Sequence, residues 1–197
     1  MRERGFTIAE LMIVVAIVGV LLLVSIPALK SMLSATRVNA AARDLATKLQ
    51  AVRMQAVTKR ANYQVQFDTT NHTFTICTDK DASNSITCTA GNADVLKTVS
   101  IKTKYPGAVL GYVSGAKNTS GNDITSAVMF SLGATKVTFK PFGTADINGT
   151  VYLIPSADLA TGRKDRMRAI TILLQTGRVK LWKCDAACNT VTSWSAS

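Results

Sequence analysis

With a single histidine and only two glutamates in 197 residues, the chain has little with which to run acid–base catalysis. His72 falls in a predicted turn, and Glu3 and Glu10 both lie at the N-terminal end. No glycine loop followed by Lys-Ser or Lys-Thr is present, which excludes the usual phosphate cradle. Cysteine is scarce too, and its spacing is not that of a zinc finger or ribbon. Internal repeats and low-complexity tracts are absent. The sequence therefore predicts no enzyme: no catalytic residue, no cofactor and no metal ligand.

Acid is the scarce charge. Lysine and arginine outnumber aspartate and glutamate 23 to 12, for a net charge of +11 and a pI near 9.8. Such a balance favours acidic partners, nucleic acid or anionic lipid among them, without choosing between them. The four cysteines fall into two local pairs, Cys77 with Cys88 and Cys184 with Cys188, as expected of bridges formed in an oxidising compartment. Three pairings are open to four cysteines, and Cys184 meets Cys188 only if the three residues between them turn the chain.

One long hydrophobic run is present. From Phe6 to Leu29 the only charge is Glu10, and from Leu11 to Leu29 there is none, roughly the length needed to cross the hydrocarbon of a bilayer. The run is longer than the core of an ordinary secretory signal. A carboxylate in such a helix is penalised by about 2–3 kcal/mol, so Glu10 calls for a cationic partner, and this chain offers no obvious one. Charge counting leaves the topology ambiguous. Arg2 and Arg4 precede the run while Lys30, Arg37, Arg43, Lys48 and Arg53 follow it, and the cysteines argue for an exported C-terminal part.

Beyond the run, Val38, Ala41, Leu45, Leu49, Val52 and Ala56 recur in steps of three and four, a single helical stripe. The helix is therefore expected to continue to Lys59, about 80 Å in all. Its distal half should pack on a head, with a kink or local loosening at Pro27. After Arg60 the period changes to two. Tyr63 to Phe67 and Thr73 to Cys77 predict a hairpin about a turn at Asp68 to His72. Further strands are expected at Val95–Ile101, Val109–Val113, Ala127–Leu132, Val137–Phe139, Val151–Ile154, Ala169–Leu174 and Val179–Trp182, with loops at Asp79–Asp94 and Gly115–Asp123. The fold class is α+β, a long N-terminal helix packed on a mostly antiparallel β-sheet head.

Gly5-Phe6-Thr7-Ile8-Ala9-Glu10, followed by Leu11 to Ile17, resembles the processing site and anchor of type IV pilins and type II secretion pseudopilins. The resemblance implies the type IV pilin fold and cleavage after Gly5 by a prepilin peptidase at the inner membrane. It also implies N-methylation of Phe6, and assembly through Glu10, whose carboxylate would meet the N-terminal amine of an adjacent subunit. Pro27 falls where many pilins carry a helix-loosening proline. Leu49 to Arg60, Val137 to Ala145 and Ile170 to Cys184 are similar to the GspH/FimT family of minor pilins and pseudopilins. By that resemblance the chain divides into a leader (1–5), a membrane and assembly helix (6–29), the amphipathic half of that helix (30–60) and a periplasmic head (61–197). The subunit would be a single-pass inner-membrane protein of a type II secretion pseudopilus or a type IV pilus, acting with other subunits in the tip or in initiation.

Gly162 to Lys183 holds seven cations against one acid, Asp165. On a strand, Arg178, Lys180 and Trp182 would share one face, with Val179 and Leu181 on the other. With Lys183 they are the candidates for binding DNA, since cations can neutralise phosphates and an aromatic can stack a base. Gly177-Arg178-Val179-Lys180 is similar to the Gly-Arg-x-Arg turn of DNA-uptake pilins but ends in lysine, which lacks the fork geometry. The other reading of the same residues is a solvated cationic edge.

Overall fold

Thr7 sets the start of the long helix. The computed structural model describes residues 7–79, 86–89, 91–185 and 188–197, together with the backbone but not the side chains of 24 and 26–28. Helix α1 runs over Ile8–Lys59, 52 residues, and stops where Arg60 turns left-handed (φ 51°) and donates its N–H to Ala56 and Val57. It passes through position 27 unbroken, and the side chain of Pro27, expected to loosen it, lies outside the described residues.

The two halves of α1 differ in what covers them. Ile8, Leu11, Ile13, Val15, Ile17, Val20 and Leu23 stand exposed around the helix, uncovered by the other described residues. From Val38 onward the predicted stripe is buried: Val38, Ala41, Leu45, Leu49, Val52 and Ala56 face the head, joined by Ala42 and Ala46. Each buried leucine contributes about 1.5–3 kcal/mol by leaving water.

The head is antiparallel throughout. Strands β1 (Tyr63–Asp68), β2 (Thr73–Thr78), β3 (Val95–Ser100) and β6 (Lys136–Phe139) form one sheet in the order β3-β2-β1-β6. The second runs β10-β9-β8-β7-β4, built from β4 (Ala108–Leu110), β7 (Gly149–Pro155), β8 (Arg168–Ile172), β9 (Val179–Cys184) and β10 (Trp194–Ala196). β5 (Val128–Phe130) pairs with the first half of β7 while β4 pairs with its second half. Helices α2 (Ile101–Lys104) and α3 (Ser156–Thr161) are short.

β7 explains the layering. Val151 and Leu153 point into the main core against α1, while Tyr152 and Ile154 point to the opposite side. All four are fully buried, so the second sheet is covered on both faces. The outer cover is the loop carrying Ala116 and Ile124 together with Cys184, Cys188 and Trp194.

Several expectations shift. Ile101 leaves β3 to start α2, β4 ends at Leu110, and Leu132 sits in a tight left-handed turn (φ 62°) rather than in a strand. Leu173 and Leu174 leave β8, because the Leu173 carbonyl accepts from the Gly177 N–H to close the turn into β9. α3 and β10 were not expected. Both cysteine pairs are bridged, Cys77 to Cys88 and Cys184 to Cys188, each with Cα atoms 5.7 Å apart.

Gly149 is where β5 crosses closest to β7. A Cβ there would lie 2.4 Å from the Met129 carbonyl oxygen and 2.6 Å from the Phe130 Cα, both backbone atoms that cannot swing aside. Gly149→Ala is expected to destabilise the fold by about 1–3 kcal/mol or more, as core overpacking does. Thermal unfolding of the full chain in a polyoxyethylene-ether detergent reads this as a lowered Tm; an unchanged Tm would show that the β5–β7 contact yields.

Candidate functional site

Glu10 is the one acid in the apolar half of α1, and the structure places it in a capping box. The Thr7 hydroxyl accepts from the Glu10 N–H at 3.3 Å, and the Glu10 carboxylate accepts from the Thr7 N–H at 3.4 Å. Thr7-x-x-Glu10 is the sequence signature of this pairing, set at the start of the long apolar run. The carboxylate thus has partial compensation inside its own chain, where backbone N–H groups at a helix start favour negative charge. It remains exposed and open to a further partner. Gly5 and Phe6, the expected cleavage and methylation positions, lie outside the described residues.

The distal half of α1 is fixed to the head by polar contacts along its length as well as by the stripe. Arg37 donates to the Pro106 carbonyl at 3.2 Å, and Arg53 Nε donates to the Gly143 carbonyl at 2.8 Å. Asp44 accepts from Lys48 and, at 3.0 Å, from Lys104 on α2. Partial burial pushes the Asp44 carboxyl up, and the two lysines outweigh it, so its pKa lies below the ordinary value.

The strongest of these ties is Arg166. Its Nε donates to Asp158 Oδ2 at 2.8 Å and its Nη2 to Oδ1, while Nη1 donates to the Ser31 carbonyl at 2.9 Å and the Ser34 hydroxyl at 2.9 Å. Asp158, on α3, is only 1% exposed. One guanidinium therefore locks α3 to α1 just where the exposed half of the helix begins. Arg168, on β8, is buried beside it and donates to Asn39 of α1 and to the Met167 carbonyl. Burial pulls its pKa below the ordinary value, offset in part by Asp185 and Asp165. Neither arginine is among the sequence candidates, because a basic run does not show which cations turn inward.

The four basic-face candidates divide. Arg178, Lys180 and Trp182 border one concavity on the outer side of the second sheet. Lys180 stands over the Trp182 ring, its ammonium 3.8 Å from the ring centre, and the indole N–H donates to the Thr171 hydroxyl at 2.9 Å. Lys183 does not join them: strand alternation turns it away and its ammonium lies 3.4 Å from Asp185.

A 52-residue helix, apolar and uncovered by the described residues in its first half and packed across two antiparallel sheets in its second, is the α+β architecture that the pilin resemblance implies. Residues 41–176 match the family described as type II transport protein GspH, and residues 1–26 match the prokaryotic N-terminal methylation motif. The chain belongs to the GspH family. No curated protein matches it. Among solved structures it is similar to the minor pseudopilin EpsH from the type 2 secretion system of Vibrio cholerae, at 13% identity over 75% of this chain and 97% of the other, with a TM-score of 0.48. It is also similar to the Pseudomonas aeruginosa type IV minor pilin FimU, at 17% identity over 74% and 88% of the two chains, with a TM-score of 0.46.

Removing Arg166 strands a buried carboxylate. Arg166→Ala is expected to lower stability by about 3–5 kcal/mol. Arg166→Lys should recover only part of that, because an ammonium cannot hold both carboxylate oxygens and the two serines at once. Urea unfolding of the full chain in detergent measures both; equal stability of the alanine variant and the native chain would exclude the arginine as the tie.

Proposed function

We propose that this subunit is anchored in the inner membrane by residues 6–29, cut after Gly5 by a prepilin peptidase, methylated at Phe6 and built into a pilus or pseudopilus through α1. One observation carries the reading: the first half of α1 exposes apolar side chains on every side, and no described residue of the head covers them. Counted over the described residues, no helix is long and apolar enough to cross a membrane. In the sequence, the same helix is uncharged from Leu11 to Leu29, which includes the side chains not described. Lipid covers that surface before assembly and the helices of neighbouring subunits cover it afterwards, so no apolar face meets water at either stage.

Glu10 gives the packing its register. Its carboxylate sits at the helix start, where the methylated amine of an adjacent Phe6 can approach it in a low-dielectric layer, and a misplaced neighbour leaves the charge without that partner. The head, held rigidly to α1 by Arg166 and the buried stripe, transmits the register to the surface. DNA presentation by Arg178, Lys180, Trp182 and Lys183 gains no support from the related proteins, and the geometry separates Lys183 from the other three.

Glu10→Gln separates the two roles of the carboxylate. Glutamine at this position still caps the helix but carries no charge. The variant is expected to insert in membranes and to be methylated as the native chain is, while its recovery in sheared filament fractions falls at least about tenfold. Quantitative mass spectrometry of membrane and filament fractions follows all three. Undiminished recovery would sink the pairing, and a mature chain beginning elsewhere than at methylated Phe6 would sink the processing step.

A further inference from the structure

The outer face of the second sheet is only partly covered by the loop and disulfide that pack on it. Beside that cover, a concavity of about 540 Å³ opens between the loop at Asn118–Asn122 and strands β7, β8 and β9. This is the size range of pockets that hold small ligands. Its lining includes no aspartate or glutamate, whereas Arg178 and Lys180 stand on one wall, and neither cation forms a salt bridge among the described residues.

The rest of the lining is rich in hydrogen-bond donors. The side-chain oxygen of Asn118 is occupied in its own loop, accepting from the N–H groups of Ser120 and Asn122, each at 2.9 Å. Asn148 likewise gives its side-chain oxygen to Ser131. Their amide nitrogens make no hydrogen bond among the described residues, and each carries two donors. Tyr152 also borders the pocket. It is 0% exposed, and its hydroxyl finds no hydrogen-bond partner among the described residues. Burial pushes the phenol up to about 12; Thr150, on the same strand face, offsets this slightly without reaching hydrogen-bond geometry. An unmade bond at a buried hydroxyl is unfavourable, so a ligand oxygen that reached it on binding would be held there.

We infer that this pocket binds a compact acidic saccharide, one or two rings carrying carboxylate, with Arg178 and Lys180 meeting the charge and Tyr152, Asn118 and Asn148 meeting ring and hydroxyl oxygens. Such a ligand is dense in acceptors and negative in charge, the complement of this lining. A peptide strand fits poorly. It brings N–H donors of its own, and β7 and β8 are already paired along both edges beside the pocket. Nucleic acid fits no better. A base needs an open aromatic face, whereas Lys180 covers one face of Trp182 and the ring packs against the outer core. A duplex could touch the cations at the rim but could not carry an oxygen down to Tyr152. The assignment is independent of the assembly reading, since no residue of α1 borders the pocket.

Isothermal titration of the full chain in a polyoxyethylene-ether detergent tests it, with digalacturonate as the probe and galactobiose as its uncharged counterpart. Saturable digalacturonate binding is expected, weakening with salt, with galactobiose at least about tenfold weaker. Tyr152→Phe should weaken it about tenfold while leaving the Tm equal or higher, because the variant discards an unpaired buried hydroxyl. The double variant Arg178→Gln with Lys180→Gln should weaken it about a hundredfold. No saturation up to roughly 10 mM ligand overturns the proposal, as does equal binding of the two disaccharides or indifference to Tyr152→Phe. A ten-residue thymidine oligonucleotide that binds more tightly than digalacturonate, regardless of Tyr152, also overturns it and assigns the cations to nucleic acid.

Discussion

Helix α1 is longer than the body it packs on, and most of what distinguishes this molecule follows from that mismatch. The stripe from Val38 to Ala56 finds its cover in the head, where alanines let the helix approach and Leu45 and Leu49 fill the space between the two sheets. The same helix from Ile8 to Leu23 finds no cover among the described residues of its own chain. Apolar surface of that extent in water is unfavourable by many times the marginal stability of a domain, so its burial must come from lipid or from other helices. A chain of this shape is incomplete as a monomer.

Rigidity of the head on the helix then becomes a functional requirement, because packing chosen by the exposed half would be lost if the head could swing about the buried half. Polar contacts supply what the apolar stripe cannot. Hydrophobic packing tolerates a small slide, whereas Arg166 holding Asp158, Ser31 and Ser34 together fixes rotation and register at once. Arg53 on Gly143 does the same near the other end of the buried half. A Cβ on Gly177 would stand 2.3 Å from the Gly143 carbonyl oxygen, so the β8–β9 turn carrying Arg178 depends on that close approach as well.

The second sheet has the opposite logic. With α1 on one face and the disulfide-closed C-terminal segment on the other, β7 is apolar on both sides and its sequence reads as a continuous run rather than an alternation. Where that outer cover stops, polar residues replace apolar ones, and the donor-rich hollow beside Tyr152 is the result. Lys180 lying over Trp182 is part of the same boundary, between a dry core and a wet, cationic rim.

Local periodicity was enough to find the helix, its buried stripe, the first hairpin and most strands, since steps of three and four or of two are written in consecutive residues. The uncharged stretch from Leu11 to Leu29 was legible from composition, and its described side chains stand exposed on the first half of α1. The strand ends at Leu110, Phe130 and Ile172 were not legible, because the turns that follow them override the local strand preference of the next apolar residues. Nor could the sequence sort seven cations in one basic run. Arg163 pairs with Asp165, Lys164 donates to the Gly115 carbonyl, Arg166 and Arg168 turn inward because Asp158 and Asn39 wait there, and Lys183 turns toward Asp185, which leaves Arg178 and Lys180 without a hydrogen-bonded partner for their charge among the described residues. The order of residues by itself determined a long helix, apolar in its first half and striped in its second, because those patterns are written in consecutive residues, whereas partners from separate elements, brought within hydrogen-bonding distance, decided which charges hold the molecule together and which are left to bind.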